Sequence, residues 1–248
     1  MKWRVVELET YDAYQNMALD EAVSEGIRSG SSPPTIRFYT WEPSAVSIGY
    51  FQSIRDEVNL DVCRELGVDC IRRWTGGGAV YHDHYGEITY SVIVPATVFP
   101  KNIIESYRII CGWLVKGLER VGIAAEFNPI NDILAGGKKI SGSAQTRRGG
   151  ILLQHGTLLY DLDLATMFSV LNVSKQKITD KMIQNAEERV TCIVNHCDAG
   201  KREVYEALVE AFTQGKDWEF GGWSKIEIDR AKELASEKYR GDEWMYLR

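Results

Sequence analysis

The 248-residue sequence predicts an α+β fold, and three observations carry that reading. Runs rich in β-branched and aromatic residues cluster before Asp161. Segments with helical periodicity dominate from Leu164 onward. The glycine pairs Gly136-Gly137 and Gly149-Gly150 read as hairpin turns between consecutive strands. No internal repeat, low-complexity tract or interdomain linker interrupts the chain. A single domain over residues 1–248 is therefore expected, with Asp229–Arg248 as a C-terminal helical tail bearing a tryptophan.

Taken in order, Trp3–Leu8 reads as a first strand. Over Ala13–Ile27, Met17, Ala18, Ala22, Val23 and Ile27 recur at helical spacing with Asp20, Glu21 and Glu25 between them, which predicts an amphipathic helix. Thr35–Trp41 is a strand by composition, Glu42-Pro43-Ser44 turns the chain, and Ala45–Tyr50 is the next strand. Asn59–Leu66 is a short helix closed by Gly67. Val68–Ile71 and Ala79–Tyr81 flank a glycine-rich bend, and Ile88–Val94 alternates as a strand up to Pro95. Ile103–Val121 is a long amphipathic helix stopped by Gly122. Strands follow at Ala124–Phe127, Asp132–Ala135, Lys139–Gln145 and Ile151–Leu159, then helices at Leu164–Leu171, Asp180–Glu188, Lys201–Thr213 and Asp229–Lys238.

Bulk properties exclude several classes. A hydrophobic share of 44%, a charged share of 26% and a net charge of −6 describe an ordinary globular chain, and the excess of acid argues against nucleic-acid binding through bulk charge. No apolar run reaches membrane-spanning length, and the N-terminus has no signal-peptide core. The five cysteines are odd in number and irregularly spaced, which points to reduced thiols and a cytoplasmic protein; Cys192 and Cys197 leave a metal or redox role open.

Two stretches carry chemistry. Arg72-Arg73-Trp74-Thr75-Gly76-Gly77-Gly78-Ala79-Val80-Tyr81-His82-Asp83 places three glycines after two arginines. Bare backbone there can curl several N–H groups around an anion, and the arginines can add bidentate donors. The plain alternative is a bend that only turns the chain. The spacing fits neither a dinucleotide-binding glycine motif nor a Walker loop. The second stretch joins Asn131-Asp132-Ile133 to Lys139-Ile140-Ser141-Gly142-Ser143-Ala144 and then to Gln154-His155-Gly156-Thr157. Glycine and serine inside a strand weaken it unless something must approach its backbone. Lys139 beside that gap can reach an anion. His155 reads as a buried histidine bonded to backbone, and His82 and His84 lack an evident third ligand for a metal. Ser141 and Ser143 sit in no nucleophile elbow.

These stretches, with Asn16–Glu21 and Gly49–Gln52 in support, resemble the lipoate–protein ligase family over most of the chain. The resemblance implies a mostly antiparallel or mixed sheet flanked by helices, similar to biotin–protein ligase and class II aminoacyl-tRNA synthetase cores. It implies that ATP and lipoate form lipoyl-AMP with Mg²⁺, and that the lipoyl group then passes to a lysine of an acceptor domain. Such acceptors are an acyltransferase subunit of a 2-oxoacid dehydrogenase or the glycine-cleavage H protein. Lys139 would lie between the lipoate carboxylate and the α-phosphate. Arg73 and the backbone of Gly78, Ala79, Val80 and Tyr81 would hold the nucleotide, and Asn131 and Asp132 would face the adenylate, Asp132 helping to hold Mg²⁺. Gly142 and Ala144 would leave room for the reactive ester, and Gly76, Gly77 and the surroundings of His155 would line the lipoyl tunnel.

Octanoyltransferases and lipoyl amidotransferases of the same superfamily are the main alternative, and Gly-Ser-Ala-Gln with Gln-His-Gly is similar to some of them. They use a cysteine nucleophile. This chain has Asn128-Pro129-Ile130-Asn131-Asp132 where one branch would carry it, and no Pro-Cys-Gly element after His155-Gly156. Sequence therefore favours ATP-dependent ligation. A non-catalytic lipoyl or nucleotide binding protein is a further alternative. The resemblance is to a short form without a C-terminal accessory domain, so either the chain works alone in compact form or a separate small polypeptide supplies the missing part.

Overall fold

The computed structural model describes residues 1–172 and 188–248. An eight-stranded mixed sheet runs in the order β11-β1-β2-β6-β10-β9-β8-β7. Its strands are β1 (Lys2–Tyr11), β2 (Thr35–Trp41), β6 (Glu87–Pro95), β7 (Ala125–Asn128), β8 (Asp132–Ala135), β9 (Lys138–Arg148), β10 (Ile151–Leu159) and β11 (Asp217–Phe220). Only the pairings of β1 with β2 and β11 are parallel; from β2 to β7 every neighbour is antiparallel. A second sheet of three strands has the order β4-β3-β5, made of β3 (Ala45–Ile48), β4 (Asp69–Arg72) and β5 (Val80–His82). The α+β class and the mixed, mostly antiparallel sheet flanked by helices are thus observed.

Helices cover both faces of the large sheet. On one face α4 (Ile103–Arg120) packs with α6 (Lys201–Thr213), burying Phe38, Tyr90, Leu114 and Phe212 in one cluster. On the other, α1 (Ala13–Ser29) packs with α7 (Lys225–Leu234) and buries Met17, Leu19, Trp41 and Ala231. Helices α1 and α4 begin where the chain supplies a cap. Asp12 accepts from Gln15 N at α1, and Asn102 accepts from Ile104 N and Glu105 N at α4, satisfying amides that have no partner within the helix. Gly30, at φ 81°, ends α1 in the left-handed conformation that glycine adopts at least cost. Short helices α2 (Ile54–Glu57), α3 (Leu60–Leu66) and α5 (Leu164–Val170) pack around the small sheet, and α8 (Asp242–Met245) closes the chain.

Most boundaries match expectation to within a few residues; three differences are informative. Strand β11 was not expected, because its four residues are too short for an alternating pattern to register. The last long helix starts at Lys225 rather than Asp229, since Ser224 and Glu227 form a capping box upstream of the apolar periodicity. It continues as a π-helical turn over Ala235–Tyr239. The helix expected over Asp180–Glu188 falls, but for Glu188, outside the described residues. No helix among the described residues is long and apolar enough to cross a membrane.

A buried ion pair ties α7 to the sheet. Arg4 of β1 meets both oxygens of Glu227 at 2.7 and 2.6 Å, and Ser32 Oγ donates to the same carboxylate at 2.7 Å. Burial opposes the charge, but the bonds from Arg4, Ser32 and the Ser224 amide outweigh it and hold the Glu227 carboxyl at about 2, below its ordinary 4.5. A depressed carboxylate stabilises the fold above its unfolded pKa, and that stability is lost as pH falls through the folded value. Glu227→Gln should therefore cost about 3–5 kcal/mol by leaving Arg4 buried without a counter-charge. It should also flatten the fall in stability that the wild type shows between pH 4.5 and about 2, read by urea unfolding at each pH.

Candidate active site

The glycine-rich stretch is not a hairpin. Strands β4 and β5 lie on opposite sides of β3, so residues 73–79 cross over the end of β3. Arg73 holds that crossing. Its Nη2 donates to Gly76 O at 2.8 Å and Gly78 O at 2.7 Å, and its Nη1 donates to Ser47 O at 3.0 Å and Ser47 Oγ at 3.2 Å. Burial draws its guanidinium down to about 10, which leaves it charged at neutral pH. Gly77, at φ 99°, could not carry a side chain, because a Cβ would stand 2.8 Å from Arg73 Nη2. A Cβ on Gly49 would stand 2.1 Å from Gly77 O, so the loop needs bare backbone on both sides of the crossing. Arg72 is fully buried and donates to the carbonyls of Gly49, Tyr50, Gln52, Trp244 and Met245. The arginine donors expected to meet an anion thus meet protein carbonyls, and both arginines shape the loop.

The loop forms one wall of a cavity of about 320 Å³. Segment 77–81 and Arg73 line one side, and Asn131, Lys139, Gly142, Ala144 and His155 line the other. Gly76 and Asp132 stand outside the lining. Met17, Trp41, Leu159, Leu162, Met167 and Leu171 make much of the remainder apolar. Lys139 reaches in because β9 shifts register against β8 between Ile133 and Leu134, and because Gly142 has no side chain. A Cβ on Gly142 would sit 2.8 Å from both Cε and Nζ of Lys139. Gly156 is equally constrained, since its Cβ would lie 2.6 Å from Ser143 Oγ and 2.9 Å from Gly142 O. The Lys139 ammonium pairs with Asp132 Oδ1 at 2.8 Å. Asn131 is tied to Ser143 by its side-chain amide and its carbonyl, which fixes β8 to β9 beside the lysine.

Two histidines depart from expectation. His155 bonds to side chains rather than backbone: Nε2 to Thr75 Oγ1 at 2.6 Å and, loosely, Nδ1 to Asp20 at 3.5 Å. His82 lies between Ser47 Oγ and Glu87 Oε1, each at 2.8 Å, with Trp41 stacked on its ring at 4.0 Å. Ser47 and His82 both line the cavity. Nothing in the sequence singled out Ser47 or Glu87, which are 35 residues before His82 and five after it, each on another strand.

Asp132 is paired with Lys139, and no group of three or more His, Cys, Asp or Glu suited to a metal exists among the described residues. No cysteine among the described residues lines the cavity. Cys111 lies behind its wall, 3.7 Å from Ser143 Oγ, and burial pushes its thiol up to about 11.

Residues 12–213 match the family model described as lipoyl protein ligase A/B catalytic domain. The chain is similar to the octanoyltransferase LipM of Brevibacillus brevis (34% identity, 98% of each chain covered) and to that of Clostridioides difficile (35%, 98% of each). Among solved structures it is similar to a bi-partite lipoate protein ligase from Thermoplasma acidophilum, described with its E2 lipoyl domain (33% identity, TM-score 0.90, covering 100% of this chain and 98% of that one). It is also similar to a lipoate-protein ligase A bound with ATP (32%, TM-score 0.85, full coverage of both). The curated relatives overturn the expected ATP-dependent lipoate ligation, because at this identity over nearly the whole chain they are octanoyltransferases.

Desolvation lowers the His155 pKa below its ordinary 6.5. A histidine whose folded pKa is depressed contributes stability above the unfolded value and loses it as pH falls below 6.5 toward the folded value. The wild-type melting temperature should fall as pH drops through that window, and His155→Asn should show a flatter profile; a ring titration by NMR midway above 6.5 would contradict this.

Proposed function

We propose that this chain, which belongs to the lipoyl protein ligase A/B catalytic-domain family, transfers an octanoyl group from an activated donor to a lysine of a lipoyl acceptor domain. The cavity is the observation that carries this reading. Its volume of about 320 Å³ suits a short acyl chain rather than a large cofactor, ligand sites running from ~300 to ~1,000 Å³. Burying the methylenes of an eight-carbon chain against Met17, Trp41 and Met167 contributes roughly 5 kcal/mol, at about 0.8 kcal/mol each.

Acyl transfer passes through a tetrahedral intermediate whose oxygen carries negative charge, and a fixed cation beside that oxygen speeds the reaction. Lys139 is the ammonium in the cavity. It has three donors and Asp132 takes one, so Asp132 aims it while two remain for the substrate carbonyl. Asn131, through Ser143, holds the strand pair that sets this distance. Gly142 and Ala144 leave the reacting carbonyl space beside β9. A donor already activated as a thioester needs neither ATP nor Mg²⁺, in keeping with the pairing of Asp132 by Lys139. The lipoyl domain described with the Thermoplasma relative supports a protein acceptor of that kind, whether on a dehydrogenase acyltransferase subunit or the H protein.

The purified chain, octanoyl-CoA and a lipoyl domain should yield the octanoylated domain, read by intact mass, without ATP or Mg²⁺. An absolute need for free acid and ATP would contradict this. Lys139→Met should lower kcat by about 10²-fold or more. Its melting temperature should stay near the wild type, because the Lys139–Asp132 pair is partly exposed and surface pairs are worth about 0–1 kcal/mol.

A further inference from the structure

Transfer between two carrier-borne groups sets a geometric problem. One cavity must accept the acyl group from its donor and then present it to a lysine on a different protein. A covalent acyl-enzyme solves this by letting the donor leave before the acceptor arrives. The cavity has no thiol among the described residues, but it has a hydroxyl in an unusual setting.

Ser47 sits on β3, the middle strand of the small sheet, between β4 and β5. Its Oγ lies 2.8 Å from His82 Nε2, and His82 Nδ1 lies 2.8 Å from Glu87 Oε1. The proton positions follow from neighbours that can only donate. The Trp41 indole N–H donates to Thr89 Oγ1 at 2.8 Å, so the Thr89 hydroxyl turns its proton toward Glu87 Oε1, which acts as an acceptor. Glu87 Oε1 then accepts the Nδ1–H of His82, and the neutral ring keeps its lone pair on Nε2, facing Ser47. Arg73 Nη1 can only donate to Ser47 Oγ, at 3.2 Å, so the serine proton points at His82. Trp41 stacks on the imidazole at 18° and fixes its plane. Glu87 is almost wholly buried, and its Oε2 has no hydrogen-bond partner among the described residues, so this carboxylate is committed to its histidine side. A hydroxyl, a base with the correct tautomer, a carboxylate behind it and a guanidinium bonded to the serine oxygen are the parts of an activated serine.

Building on the octanoyl-transfer reading, we propose that Ser47 is the transient acyl carrier, with His82 as general base and acid, Glu87 as its orienting residue and Arg73 as a stabilising cation. Ser47 Oγ attacks the thioester carbonyl of the donor while its proton moves to His82 Nε2. The C–S bond breaks, the sulfur takes that proton from His82 and leaves as a thiol, and an octanoyl–Ser47 ester remains. The neutral amine of the acceptor lysine attacks the ester carbonyl and gives a proton to His82. The C–O bond then breaks, and the proton returns to Ser47 Oγ, leaving an octanoyl amide on the acceptor and the enzyme as it began. Lys139 holds the carbonyl oxygen in both halves.

The test is a burst experiment with octanoyl-CoA and no acceptor. The chain should gain the mass of one octanoyl group, mapped by peptide mass spectrometry to Ser47. The adduct should resist neutral hydroxylamine and discharge when a lipoyl domain is added. Ser47→Ala should form no adduct and lose roughly a hundredfold or more in turnover. Ser47→Cys, nearly the same size and so the safer variant for folding, should form an adduct that hydroxylamine cleaves. A purely structural serine would not change the lability of the adduct. Acylation of a cysteine or lysine instead, or wild-type turnover in Ser47→Ala, would overturn the serine route and leave octanoyl transfer standing. Neither adduct nor product from the wild type would overturn both.

Discussion

Arg73 holds the glycine loop against the small sheet of this protein. Its side chain is 5% exposed, and its two terminal nitrogens end on the carbonyls of Gly76 and Gly78 and on both oxygens of Ser47. A buried guanidinium is costly unless its donors are matched, and here the glycine loop supplies the acceptors. The same contact therefore folds the loop, anchors it to β3 and brings a positive charge to the cavity wall. Without it the triple glycine would be among the least ordered stretches of the chain, since glycine loses the most freedom on folding.

Around that anchor, the cavity exists because side chains are missing at chosen points. Gly49 lets the loop lie on β3, Gly142 gives Lys139 its path, and Gly156 lets Ser143 and Tyr90 close behind β9 and β10. In the proposed reaction the strands carry the reactive groups on rigid backbone, with Lys139 on β9, Ser47 on β3 and His82 on β5. The apolar floor from α1, β2 and α5 supplies binding energy for an acyl chain, while the polar groups gather at one end. Division of labour of this kind lets binding and chemistry be tuned separately.

Much of this was legible in the sequence. Long periodic helices and β-branched runs announced themselves because each buries one face, and the motifs around Gly76–Gly78 and Lys139 marked two walls of one cavity. What the sequence could not show were partnerships across distance. Two arginines beside glycines looked like anion ligands, yet their donors turn back to nearby and C-terminal carbonyls. His82 was set aside for want of a third metal ligand, and its partners are Ser47 from another strand and Glu87 from the next. The absence of a cysteine near Asn131 and after Gly156 pointed to ligation, a reading that the octanoyltransferase relatives overturn. Strand β11 was missed for a simpler reason: four residues at a sheet edge carry too short a pattern.

The central claim is that the cavity between the Arg73-held loop and Lys139 receives an acyl carbonyl at its polar end and the hydrocarbon at its apolar end. A crystal structure with a stable ketone analogue of an octanoyl thioester tests this most directly. The account predicts the alkyl chain against Met17, Trp41 and Met167, the carbonyl oxygen within hydrogen-bond distance of Lys139 Nζ, and the carbonyl carbon facing Ser47. An analogue bound elsewhere, or one whose carbonyl is turned from Lys139 while the hydrocarbon points to solvent, would contradict it.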